Sequence, residues 1–130
     1  MTLQRLLFEP TILRTPLRIV QWWESRRLAY NLVVGVTGLG TLAYANILSL
    51  IARGFLMPVE WQLIVLYGLV ANGFYTLGWV IENIVERWLG RPVYGLGPAL
   101  FRHGLVFSVG LTLFPAAVVT FFAIAGLLFR

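Results

Sequence analysis

Between Leu63 and Ile81 the chain runs for 19 residues, LIVLYGLVANGFYTLGWVI, without a charged side chain. At about 1.5 Å of rise per residue a helix of that length is roughly 28 Å long, which matches a hydrocarbon core about 30 Å thick. Two further apolar stretches accompany it, Leu28–Ile51 and Leu100–Phe129. The expected fold is therefore an all-α integral membrane protein. Three transmembrane helices, over about 28–51, 63–88 and 100–129, form one bundle, and an amphipathic arm, residues 1–27, lies in the interface. With 59% hydrophobic and 12% charged residues, the chain is too apolar to dissolve in water.

The arm mixes Leu3, Leu6, Leu7, Phe8, Ile12, Leu13, Leu17, Ile19 and Val20 with Arg5, Arg14 and Arg18. That mixture suits the headgroup region. Pro10 and Pro16 limit helix there to short pieces, and arginines and prolines interrupt anything resembling a signal-peptide core. Trp22 and Trp23 suit the aromatic belt at the membrane surface.

Packing faces are legible as repeats of small residues. Thr41, Ala45 and Ser49 recur at i+4 in the first span, and Gly104, Ser108, Thr112, Ala116 and Thr120 form a longer ladder in the third. Small side chains let helix backbones approach closely in lipid. Pro115 inside the third span removes a backbone donor and predicts a kink. The link 52–58 is short, so the first two spans are antiparallel neighbours, and Pro58 and Glu60 fit the first turn of the second helix. Glycines and prolines make 89–98 a loop, without the spacing of a phosphate-binding motif.

All ten basic residues are Arg and all five acids are Glu, and there is no Cys. Disulfides, thiolate metal sites and lysine chemistry are excluded. The formal charge of +5 comes from arginines that flank the spans, so it reports topology and suits anionic lipid headgroups rather than nucleic acid. Eight arginines fall on one side and two, Arg53 and Arg130, on the other. The positive-inside rule then puts the N-terminus in the cytoplasm and the C-terminus outside, as in a bacterial inner membrane.

The chemistry-bearing residues gather in two places. The cytoplasmic ends of the spans bring together Arg26, Arg27, Tyr30, Asn31, Glu82, Asn83, Glu86, Arg87, Arg102 and His103. Glu82 and Glu86 share one helix face one turn apart and repel, so an arginine, most simply Arg26 or Arg27, is expected between them. Such a layer reads as a salt-bridge collar that fixes helix depth; an ion, proton or headgroup site on Glu82, Glu86 and His103 is the alternative. Metal ligation by these three lacks the usual paired spacings. Asn46 and Asn72 are the polar groups within the membrane, read as interhelical hydrogen-bonding residues. No catalytic or cofactor motif is present. The leading expectation is an accessory or scaffolding subunit acting by helix association, with itself or with other membrane subunits. A homo-oligomeric channel or transporter, with Asn72 at mid-depth and Glu82 and Glu86 at its cytoplasmic mouth, is the alternative.

Overall fold

The computed structural model describes residues 2–12 and 14–128. Leu13 of the arm, and Phe129 and Arg130 at the end of the third span, lie outside the described residues. Among those described, the chain forms four α-helices and no strand: α1 (Leu3–Phe8), α2 (Pro16–Arg53), α3 (Trp61–Leu89) and α4 (Leu96–Leu128). The last three are long and apolar enough to cross a membrane. The fold is that of an all-α membrane protein.

The helix ends follow local chemistry. The Thr15 side chain accepts from the Arg18 N–H at 3.4 Å, and Pro16 takes the first position of α2, where its missing N–H is no loss. Gly54 (φ 78°) and Gly90 (φ 62°) end α2 and α3 in the left-handed conformation that glycine adopts without strain. Residues 16–27 are thus the first three turns of α2, continuous with the span. The separate arm shrinks to α1 and the segment up to Thr15, because Pro16 starts a helix rather than breaking one. The second helix opens at Trp61, not at Pro58, with Glu60 as its flanking residue and no side-chain cap. Pro115 is accommodated inside an unbroken α4.

The surface is apolar and the interior polar and aromatic. Leu28, Leu32, Val36, Leu39, Ile47 and Ile51 of α2 all point outward, as do Phe107, Phe114, Phe121 and Phe122 of α4. Exposed apolar area on this scale has no place in water and is ordinary against lipid. Inside lie Trp23, Tyr30, Tyr75 and Phe101 with Ile19 and Val34. The Trp23 ring meets Tyr75 at 5.3 Å and Phe101 at 6.0 Å, both edge to face, the geometry that ring quadrupoles favour. Trp23 is therefore core rather than belt, 2% exposed. Trp61 and Trp88 hold exposed positions at opposite ends of α3.

The small-residue faces are used within the chain. Helix α2 packs most extensively on α4, with Gly38 against Thr112 and the Tyr44 and Thr120 hydroxyls bonded at 2.8 Å. Thr41, Ala45, Ser49, Ser108 and Thr112 are buried, Ala116 and Thr120 are half-buried, and Gly104 is open. Ser49 donates to the Phe55 carbonyl at 3.0 Å and holds the chain leaving α2 against the helix end.

Helix α3 follows α2 over part of its length. Every hydrogen bond and ring contact between them joins Trp23–Asn31 to Ala71–Glu82. Nearer its start α3 turns to α4, where Tyr67 bonds the Thr112 hydroxyl and the Ser108 carbonyl. A seam between α2 and α3 opens above Asn31.

Candidate functional site

The acids of α3 are met by a residue that sequence reasoning left in the arm. The same Arg14 nitrogen, Nη1, donates to Glu82 Oε1 and to Glu86 Oε1, each at 2.6 Å. Its other terminal nitrogen donates to the Val93 carbonyl at 3.0 Å, and the Val93 N–H returns a bond to Glu86 at 3.0 Å. Glu82 Oε2 accepts from the Trp23 indole at 2.6 Å. The side chains of Arg14, Glu82 and Glu86 are 6%, 4% and 12% exposed. Gly97 backs the cluster: a Cβ there would stand 2.6 Å from the Glu82 carboxylate. This cluster ties the arm, α2, α3, the link before α4 and the start of α4 into one block.

Arg26 and Arg27, the expected partners of those acids, do other work. Arg26 is buried and donates from Nε to the Leu6 carbonyl and from Nη2 to the Arg5 carbonyl, both at 2.9 Å. Those are carbonyls that a short helix leaves unpaired at its C-terminus. Its guanidinium also stacks 3.8 Å above the Trp22 ring, whose N–H bonds the Glu9 carbonyl at 2.8 Å. Arg26 and Trp22 thus clamp α1 onto α2. The side chain of Arg14 reaches the acids first because the segment before Pro16 folds back across the end of α3.

Arg27 faces the seam. It pairs with Glu24 at 2.7 Å and reaches Thr76 at 3.2 Å and Asn72 at 3.4 Å. Asn31 and Asn72 exchange amide hydrogen bonds at 3.1 and 3.3 Å. The Arg27 and Glu24 side chains are 29% and 44% exposed, and Asn31 is exposed. One turn beyond the amide pair lie Gly35 on α2 and Gly68 on α3, with open space where a Cβ would be. The seam is therefore a polar ladder continued by a bare notch, on the outside of the bundle.

The remaining predicted residues are dispersed. Tyr30 bonds the Ser108 hydroxyl at 2.8 Å in the core. Asn83 and Asn46 each bond back to their own helix, at the Trp79 and Leu42 carbonyls, so Asn46 does not join Asn72. Arg102 lies 4.5 Å over the Phe8 ring. His103 is exposed and bonds the Ala99 carbonyl at 2.7 Å, apart from Glu82 and Glu86. Arg87 is exposed. Among the described residues no three potential metal ligands come together. Sequence reasoning missed Arg14, Trp23, Glu24, Thr76 and Gly97. The available signal was two adjacent acids in need of a cation, but a separation of 68 residues hid the donor.

Comparison with protein-family models, with curated proteins and with solved structures finds no match to this chain.

Proposed function

We propose that this protein is an accessory or scaffolding subunit that works by docking a transmembrane helix onto the α2–α3 seam. The observation that carries this reading is the half-exposed ladder Glu24, Arg27, Asn31, Asn72 and Thr76 beside the open glycines Gly35 and Gly68. Polar groups facing lipid are expensive and ordinarily face a protein neighbour or water. Glycine beside them lets a second backbone approach closely. The occupant is a second copy or another membrane subunit, and the arginine distribution orients the N-terminus to the cytoplasm of a bacterial inner membrane.

A homo-oligomeric channel is the second reading, and the half-exposed Asn72 is what favours it, since a ring of copies would turn the seam toward a shared axis. Against it stand Glu82 and Glu86, locked by Arg14 rather than free at a mouth. The test is purification of the tagged protein from its native host in mild detergent, read by mass photometry and mass spectrometry. The expected result is a defined assembly that falls apart in the Arg27→Gln/Asn72→Leu variant. A monomer from wild-type membranes that yield other complexes intact would overturn the proposal. Ion flux in liposomes that Asn72→Leu abolishes would replace it with the channel.

A further inference from the structure

A groove of about 760 Å³ lies where the start of α2 meets the end of α3 and the link that follows. Its size falls within the range of small-ligand sites, about 300–1,000 Å³. Its walls are of two kinds. Beside one acid, Glu86, the apolar lining comes from Leu17, Val20 and Ile84 and the basic lining from Arg14, Arg87 and Arg91. These three are not equivalent. Arg14 is neutralised by Glu82 and Glu86. Arg87 and Arg91 are exposed, and among the described residues no carboxylate lies within ion-pair distance of either.

Trp79 lines the same groove. The Trp79 indole N–H is buried without a hydrogen-bond partner, which is uncommon for an indole in a packed setting. The groove also lies at a defined level of the helix. Ile81 ends the uncharged stretch and Trp88 stands 85% exposed beyond it, so the groove occupies the headgroup layer, where tryptophan collects. The turn at Gly90 redirects the chain and carries Arg91 back toward the groove rather than along the helix axis.

We infer that this groove binds the headgroup of an anionic phospholipid, with its phosphate on Arg87 and Arg91 and an acyl chain along Leu17, Val20 and Ile84. Basic pockets between helices at the membrane surface have this chemistry, and an apolar wall leading down from the arginines distinguishes a lipid from a free anion. The inference is independent of the seam and of what occupies it.

The test uses the delipidated full-length protein in detergent, titrated in native mass spectrometry with phosphatidylglycerol, with phosphatidylcholine of the same acyl chains, and with inorganic phosphate. One phosphatidylglycerol should bind in preference to phosphatidylcholine by roughly tenfold, given the contribution a basic residue makes at an anionic lipid surface. Arg87→Gln/Arg91→Gln should erase that preference. Both side chains are exposed, so the variant should keep the wild-type circular dichroism and elution volume, and Arg53→Gln at the far end should bind as wild type does. Equal binding of the two lipids, or a preference unchanged in the double variant, would overturn the inference. So would inorganic phosphate that displaces phosphatidylglycerol at equal concentration, since the ligand would then be a free anion.

Discussion

Arginine and glutamate meet hydrogen-bonding side chains around Arg14 and along the α2–α3 seam, with opposite outcomes. Around Arg14 the charges are buried, and both carboxylates and the Val93 backbone are paired inside the chain. Along the α2–α3 seam the same kinds of group, Glu24, Arg27, Asn31 and Asn72, are bonded to one another yet left at the surface. The first arrangement consumes its polarity to hold the arm and three helices together. The second leaves polarity on a face that meets lipid unless something covers it. A polar residue in a membrane span is therefore informative through its exposure, and here exposure separates the buried cluster from the seam proposed as a contact surface.

The comparison breaks most easily at the buried cluster. Arg14→Leu should destabilise the fold by about 3–5 kcal/mol, because it strands two buried carboxylates. Tryptophan fluorescence during unfolding in mixed micelles would measure it. Replacing Arg14, Glu82 and Glu86 together by apolar residues should restore part of that loss, since no charge is then stranded, while the Trp23 and Val93 N–H groups lose their acceptors. A loss in Arg14→Leu no greater than that of a surface substitution would show that the cluster is not the lock.

Gly97→Ala comes next. Its Cβ would press on the Glu82 carboxylate from 2.6 Å, and overpacking of this kind costs about 1–3 kcal/mol. The same unfolding assay should show it, with a smaller loss when Glu82→Ala makes room.

The seam should behave differently. Asn72→Leu should lower the stability of the isolated chain by no more than about 1–2 kcal/mol, the range for interhelical hydrogen bonds in membranes. Its main effect should be on assembly, seen as a shift to lower mass in mild detergent. A large loss of monomer stability without a change in mass would reassign the seam to the fold.

The smallest effect is expected at Gly35. With nothing within 4 Å of a new Cβ, Gly35→Ala should not lower monomer stability and should raise it by up to about 1 kcal/mol, since alanine loses less conformational entropy than glycine in a helix. It should still weaken the assembly, because it fills the notch.

Much of the architecture was legible because lipid constrains it. Three apolar stretches of membrane length permit little but three helices, and the i+4 repeats marked Ser108 and Thr112 as packing positions. Boundaries were less legible. Pro16 reads equally as a helix breaker or a helix start, and the Thr15 cap that decides it is a local hydrogen bond. The site was half legible. Glu82 and Glu86 announced their need for a cation, but Arg26 and Arg27, nearer along the helix, were claimed by the α1 carbonyls and by Thr76 and Asn72. Periodicity reports which residues share a face; it carries no information about how a 15-residue arm folds back. Trp23 was misplaced for the same reason: a tryptophan beside arginines looks interfacial until a buried carboxylate is found to accept its N–H.

The most direct test of the seam as a contact surface exploits the absence of cysteine from this chain. Gly35→Cys places one thiol in the notch, and Val106→Cys places one at an exposed position of α4 that is 72% accessible. Native membranes carrying either variant would be labelled with a maleimide benzophenone, which couples to the thiol and on illumination inserts into C–H bonds of any neighbour, and resolved by denaturing electrophoresis and mass spectrometry. A discrete cross-linked product from Gly35→Cys, and none from Val106→Cys, is the predicted result. No product from Gly35→Cys, or equal yields from both positions, would contradict the account.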